Sequence, residues 1–202
     1  MIPSKDLLSG YANGIFPMAD SRYDPDVKWY TARKRGIIPL DQFRVSSNVR
    51  RIVRNNHYQV KINHAFREVM EACADRNTTW ISEEIIDSYC NLHDLGHAHS
   101  IDVFDHEGKL VGGQYGVALG AAYFGESMFE RAKEASKVAL YWCHQALVQG
   151  GFELWDTQFW SKHLARFGCI EIPSREYRKR LNSALEKEAA FRIEHWGRGP
   201  DE

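Results

Sequence analysis

Three polar side chains stand at the ends of two apolar, strand-like runs, and their types could together carry acid–base chemistry. Asp156 and Gln158 are two residues apart in the run 154–159, and a strand places residues at that spacing on one face. Glu126 follows the apolar run 121–124. Two carboxylates and an amide can accept a proton and position an amine. An isolated acid–amide pair is more often a hydrogen-bonded polar pair without a function.

Glu126 is expected at the end of its strand, because Gly125 interrupts the apolar run and a polar helix is predicted to begin there. A carboxylate at a strand end that opens onto a cleft could bind an ammonium group. The alternative is a residue of the first helical turn that satisfies backbone N–H groups and the helix dipole.

The elements that must position these side chains follow from hydrophobic periodicity, helix-capping residues and turn residues. Helices are predicted over residues 46–55, 65–73, 82–95, 136–149, 162–167 and from 174 onward. Strands are predicted over residues 58–62, 98–104, 109–119, 121–124, 153–159 and 169–172. Helices followed by an antiparallel meander and a late strand indicate an α+β fold. Residues 1–42 are interpreted as a small, turn-rich N-terminal module and 43–202 as the main domain.

Composition restricts the class of protein. The 202 residues are 44% hydrophobic and 26% charged, which is typical of a soluble globular protein. No apolar run approaches the roughly 18 residues of a membrane span, and the first residues do not resemble a secretory signal. The four cysteines form no CxxC pair, which favours a reducing cytoplasm. The formal net charge of −1 disfavours nucleic-acid binding through an overall positive field, although a local basic patch remains open.

Several longer motifs carry a resemblance to a known family. They are Gly14-Ile15-Phe16-Pro17, Trp80-Ile81, the run 92–100, Leu110-Val111-Gly112-Gly113 with Tyr115-Gly116-Val117, Gly125-Glu126-Ser127-Met128-Phe129, Ala135-Ser136-Lys137 and the Asp156/Gln158 pair. With these motifs the chain resembles, over nearly its whole length, the leucyl/phenylalanyl-tRNA-protein transferase family. The resemblance implies an acetyltransferase-superfamily-like (GNAT-like) catalytic domain with a mixed, mainly antiparallel sheet flanked by helices.

The resemblance also implies an activity. Such an enzyme takes Leu, Phe or Met from aminoacyl-tRNA and joins it to the α-amine of acceptor proteins that begin with Arg or Lys, which marks them for proteolysis. It implies no metal and no organic cofactor, and no membrane partner. We expect a cytoplasmic monomer.

Residue roles follow from the resemblance as expectations. The side-chain carbonyl of Gln158 would contact the attacking amine, while Asp156 hydrogen-bonds and polarises that amide. Asp156 as the proton acceptor, with Gln158 only positioning the amine, remains an alternative. Glu126 would bind the donor's ammonium or favour a cationic acceptor. Trp80 and Tyr89 would flank the 3′ adenosine of the tRNA, although core packing is the alternative for an isolated aromatic residue.

By resemblance, seven residues would line the pocket for the donor amino acid: Gln114, Tyr123, Met128, Leu140, Cys143, Trp155 and Thr157. Gln114, Cys143 and Trp155 depart from the family's Met, Phe and Ile, and Met18 replaces a family Trp. Because one methylene in a pocket changes discrimination by only about 1–3 kcal/mol, these departures could alter the preference among Leu, Phe and Met.

The tRNA-binding surface is expected at four arginines of the predicted helix 46–55 and its approach: Arg44, Arg50, Arg51 and Arg54. Lys34 and Arg35 would lie nearby. Arginines at i and i+4 share a helix face, which suits phosphate contacts. A solvated charged helix is the alternative.

Three other functions are disfavoured by the residue pattern. His93, His97 and His99 bracket a helix end without an acid or cysteine set, so no metal site is predicted. An acyl-CoA-dependent N-acetyltransferase needs amides for phosphate where this chain has Glu126. A non-catalytic tRNA-binding module would be indifferent to Asp156→Ala, and the near-neutral net charge weakens that alternative.

Overall fold

The computed structural model describes residues 1–24 and 26–196. Helices are α1 (Ser4–Ala12), α2 (Ser47–Arg54), α3 (Phe66–Ala74), α4 (Glu83–Asp94), α5 (Ala135–Gln149), α6 (Lys162–Ala165) and α7 (Ser174–Leu185). Strands are β1 (Phe16–Ala19), β2 (Val27–Tyr30), β3 (Lys34–Ile37), β4 (Gln59–Ile62), β5 (Ala98–Phe104), β6 (Leu110–Leu119), β7 (Ala122–Glu130), β8 (Leu154–Gln158) and β9 (Ile170–Pro173). The predicted helices are confirmed to within two residues at each end, and the hydroxyls of Ser46 and Ser82 cap α2 and α4 as expected.

Seven strands form one sheet in the order β4-β5-β6-β7-β8-β3-β9. The β7–β8 pair is parallel, and the other described pairs of this sheet are antiparallel. β1 and β2 form a separate antiparallel pair. The fold is therefore α+β, with a mainly antiparallel sheet flanked by helices, as the sequence predicts.

The sheet separates two apolar layers. On one face, α1, α3, α4 and α7 pack against the sheet around buried residues such as Tyr89 and Phe124. On the other face, α2 and α5 cover buried residues such as Tyr123 and Trp155. The site residues of β7 and β8 lie between these layers, so they are held from both sides.

The predicted end of β7 is wrong, because the strand continues through Glu126 to Glu130. Gly125 pairs with Gly116 and Ser127 pairs with Tyr115, which leaves Glu126 as the extra residue of a β-bulge. A bulge bends the strand and redirects one side chain. Glu126 is therefore neither a strand-end residue nor the start of a helix.

The N-terminal segment contributes a strand to the large sheet. β3 lies between β8 and β9 and carries Arg35 beside Asp156. The sequence patterns did not predict β1, β2 or β3, and the division of the chain after residue 42 stays a prediction. Within residues 1–24 and 26–196, no helix has the length and apolar character needed to cross a membrane.

Candidate active site

Glu126, Asp156 and Gln158 meet at one point, although they come from two distant parts of the chain. The Gln158 side-chain Nε2 donates to Glu126 Oε1 at 3.0 Å. The Gln158 backbone N–H donates to Asp156 Oδ1 at 2.7 Å. Gln158 therefore links the two carboxylates.

Asp156 is fully buried, and both oxygens of its carboxylate accept hydrogen bonds. Arg35 Nε and Nη2 donate to the carboxylate at 2.7–3.0 Å, and the Tyr177 hydroxyl donates to Oδ2 at 2.6 Å. The expected hydrogen bond from Asp156 to the Gln158 side-chain amide is wrong, since Asp156 binds the backbone N–H instead. With no exposed surface, Asp156 is not placed to receive a proton from a substrate.

Arg35 is the counter-ion of Asp156 and is 1% exposed, so its side chain is not available to a tRNA phosphate in this structure. Its Nη1 donates to the carbonyl of Gly14 at 2.9 Å, and its guanidinium lies 4.9 Å from the Phe16 ring centroid and 4.5 Å from that of Tyr177. One side chain thus joins β3, the segment after α1, and β8.

Gln158 has a left-handed backbone, with φ of +58°. A non-glycine residue in that region costs free energy and is held there only by its surroundings. The hydrogen bond from its N–H to the adjacent Asp156 carboxylate provides such a restraint. The side chain consequently reaches Glu126 through its Nε2, which leaves the carbonyl oxygen Oε1 as the acceptor atom of this amide.

Glu126 is the carboxylate that faces the cavity. Its Oε1 also accepts from the Tyr11 hydroxyl at 2.7 Å, and Tyr11 is hydrogen-bonded in turn to the hydroxyl of Tyr89. Burial raises the pKa of Glu126 to about 8, and the neighbouring charge of Asp156 adds to the rise, against the opposing effect of the Tyr11 hydrogen bond. This carboxyl therefore titrates near neutral pH, where a general base is effective.

A cavity of about 80 Å³ opens beside Glu126. Its lining consists of Gln114, Gly125, Glu126, Ser127, Met128, Leu140, Trp155, Thr157 and Leu164. Five of the seven expected pocket residues are in this lining. The other two, Tyr123 and Cys143, are fully buried behind it, and the Gln114 amide donates to the Tyr123 hydroxyl at 3.1 Å.

The two aromatic residues expected to hold adenosine differ in accessibility. Trp80 is half-buried and its backbone carbonyl accepts from Ala19 at 3.1 Å. Tyr89 is 0% exposed, so a base has no access to its ring in this structure. The adenosine-binding role stays a prediction, and the burial of Tyr89 argues for a supporting role behind Glu126.

The four arginines expected to bind tRNA are all exposed, on α2 and just before it. Arg44 donates to the carbonyl of Ala165 at 3.2 Å, next to Leu164 of the cavity lining. Of the four arginines, Arg44 is therefore the one that the structure places beside the cavity lining. Lys34 instead pairs with Glu171 on β9.

Three residues that complete the site were missed from the sequence: Tyr11, Arg35 and Tyr177. Each is separated by 21 or more residues from the carboxylate that it contacts, so local sequence patterns do not indicate the contact. An arginine flanked by Lys34 and Gly36 looks like surface charge, and only the pairing of β3 with β8 places it beside Asp156.

Comparisons with known proteins identify the family of this chain. Residues 37–182 match the family model described as leucyl/phenylalanyl-tRNA protein transferase, and residues 3–33 match the model of that protein's N-terminal domain. The leucyl/phenylalanyl-tRNA–protein transferase of Ruegeria pomeroyi is 52% identical over 190 residues, which covers 94% of this chain and 90% of that protein. The protein of the same name from Rhodopseudomonas palustris is 50% identical over 189 residues, covering 92% and 84%.

Among solved structures, FemX is similar in fold, with a TM-score of 0.56 and 12% identity over 83% of this chain and 66% of FemX. The sequence similarity is far more specific, because two family models and relatives at about 50% identity cover almost all of the chain. The chain belongs to the leucyl/phenylalanyl-tRNA–protein transferase family and is an aminoacyltransferase that acts on aminoacyl-tRNA and protein substrates.

Proposed function

We propose that this enzyme transfers Leu, Phe or Met from tRNA to the α-amine of proteins that begin with Arg or Lys, in the cytoplasm, on a GNAT-like domain. The new N-terminal residue would mark the acceptor for proteolysis. The observation that carries the proposal is the Glu126–Gln158 hydrogen bond beside an apolar cavity. This arrangement offers one proton acceptor, one amine ligand and one apolar side-chain pocket at a single point.

In the proposed reaction, the acceptor amine attacks the ester carbonyl of aminoacyl-tRNA, and the ester C–O bond breaks as the peptide bond forms. Gln158 Oε1 accepts a hydrogen bond from the amine and orients its lone pair. Glu126 removes the amine proton and passes it to the departing ribose oxygen of the tRNA. Because the ester is already activated, no covalent enzyme intermediate is required.

The donor side chain fits the cavity beside Glu126. Its walls are largely apolar, with Met128, Leu140 and Trp155 among them, which suits Leu, Phe or Met rather than a charged residue. The buried Gln114 amide and the bulky Trp155 are the features most able to change the preference among these three donors.

An assay of label transfer tests the proposal. Purified protein receives radiolabelled Leu-, Phe- or Met-tRNA together with peptides that begin with Arg, Lys or Ala. We expect label on the Arg and Lys peptides and at least about tenfold less on the Ala peptide, because the proposed acceptors begin with a cationic residue. Equal labelling of the Ala peptide would contradict the acceptor preference, and no labelling would contradict the transfer itself.

The arginines of α2 offer a second prediction. Arg50→Ala with Arg54→Ala should raise KM for aminoacyl-tRNA about tenfold. The double variant should also reduce the salt dependence of tRNA binding, because each lost phosphate contact lowers the steepness of log K against log salt concentration by about 0.7–0.9. Arg180→Ala on α7, behind the opposite face of the sheet, is the matched control and should leave both quantities unchanged. An unchanged salt slope in the α2 variant would exclude this surface from tRNA binding.

A further inference from the structure

Two large aromatic side chains stand exposed directly after the reactive Gln158. Phe159 is 50% exposed and Trp160 is 46% exposed. Because successive Cα atoms are about 3.8 Å apart, both residues start within about 8 Å of the Gln158 Cα. Adjacent exposed aromatic residues leave apolar surface in water, which is typical of a binding site.

The segment that carries this pair is rigidly held. The Phe159 N–H donates to the Thr157 carbonyl at 2.7 Å. The turn also crosses directly over Gly36, where an added Cβ would lie 2.5 Å from the Phe159 carbonyl carbon and 2.6 Å from the Trp160 nitrogen. The close approach needs glycine at that position. The exposed aromatic surface is therefore fixed in place beside Gln158.

The pair lies away from the donor cavity. Trp155 and Thr157 of β8 line the cavity on the face covered by α5. The Phe159 ring instead packs edge-on against Phe16 of the N-terminal segment, with ring centroids 5.5 Å apart. The Phe159 ring therefore lies against the N-terminal segment, apart from the cavity wall that Trp155 and Thr157 form.

We propose that Phe159 and Trp160 form a subsite for an apolar side chain at the second position of the acceptor polypeptide. This inference rests on the proposed function. An extended acceptor advances by roughly 3.4 Å per residue, so its second residue is within reach of the aromatic pair when its amine contacts Gln158. Flat aromatic surfaces bind apolar side chains with little loss of conformational freedom, because the rings are already ordered.

The test uses equilibrium binding of two peptides to the intact protein by calorimetry, Arg-Leu-Ala-Gly and Arg-Gly-Ala-Gly. The parent protein should bind the Leu peptide about tenfold more tightly, the size of effect expected for a small apolar contact. Trp160→Ser should abolish most of that difference, and Trp160→Phe should restore it. Trp196→Ser, which alters a residue of similar exposure that packs on Trp142 of α5, is the matched control.

Equal affinity of the parent protein for the two peptides would overturn the subsite, as would a difference that persists in Trp160→Ser. A raised KM for aminoacyl-tRNA with unchanged peptide affinity would assign the aromatic pair to the tRNA instead and also overturn it. Peptide binding decides the subsite without any transfer of label. The label-transfer assay separately decides the proposed function.

Discussion

Asp156→Asn is expected to lower the free energy of unfolding by about 3–5 kcal/mol, because removing one partner of a buried ion pair leaves an uncompensated charge. Arg35 is 1% exposed and has Asp156 as its carboxylate partner. The hydroxyl of Tyr177 and the N–H of Gln158 also lose a charged acceptor. Urea unfolding at pH 7 measures the change, with the parent protein at the same pH as reference.

A double-mutant cycle separates the pair from its surroundings. Arg35→Met alone should also be strongly destabilising, whereas Arg35→Met with Asp156→Asn should cost clearly less than the sum, since no buried charge then remains. Glu176→Gln breaks the exposed pair with Arg180 and should change stability by no more than about 1 kcal/mol. Additive effects of the two buried substitutions would show that the pair does not act as a unit.

Asp156→Ala, which removes the acceptor of the Gln158 N–H altogether, should lower kcat about 100-fold in molecules that remain folded. Asp156 does not reach the substrate, so the loss would arise through Gln158, whose left-handed backbone depends on the Asp156 carboxylate. A side chain released from that conformation would no longer hold Oε1 against an amine, and misplacement by about 1 Å can cost 100-fold in rate. Transfer assays below the unfolding temperature, corrected for the folded fraction, measure this effect.

The sequence could predict that Asp156 and Gln158 lie close together but not what holds them. They are two residues apart in one short strand, and this spacing is visible in the residue pattern. Arg35, Tyr11 and Tyr177 depend on long-range contacts: β3 joins the sheet between β8 and β9, while α1 and α7 pack on the same face of the sheet. Local periodicity contains no information about such contacts, so the roles of these three residues are visible only in the folded structure.

The position of Glu126 was mispredicted for a related reason. Gly-Glu-Ser is a reasonable strand terminator by composition, because glycine and polar residues weaken strand propensity. In the fold, β6 pairs with β7 on both sides of Glu126, and the bulge absorbs the extra residue. The tertiary pairing overrides the local preference and directs the carboxylate into the site.

Glu126→Gln is expected to make the fold more stable at alkaline pH while removing most of the activity. The pKa of Glu126 is raised to about 8 from an ordinary 4.5, chiefly by burial. Below pH 4.5 the folded and unfolded states are both protonated, and the group contributes no penalty. As pH rises from 4.5 to 8, the unfolded state ionises first, so Glu126 progressively destabilises the fold. Glutamine removes that penalty, and we expect a gain of about 1–3 kcal/mol at pH 9 and little change at pH 5.

Glu130, four residues further along β7, is the control, because its pKa is shifted in the opposite direction. Burial acts to raise its pKa, but hydrogen bonds from Ser136 and the charge of Lys137 outweigh burial, so its net pKa is lowered. A carboxyl with a lowered pKa stabilises the fold above its unfolded pKa, and Glu130→Gln should therefore destabilise the protein at pH 7. Unfolding curves of the parent and both variants from pH 5 to pH 9 show whether the two substitutions change the free energy of unfolding in opposite directions.

Loss of the proton acceptor should reduce kcat/KM of Glu126→Gln by roughly 100- to 10,000-fold. In the parent, both Glu126 and the acceptor amine must be deprotonated, so log kcat/KM should rise with a slope approaching two below pH 7. In Glu126→Gln only the amine titrates, so the slope of log kcat/KM against pH should fall to one. Parallel profiles for parent and variant would exclude Glu126 as the base, even if the variant were slow, and would leave it a role only in binding the amine.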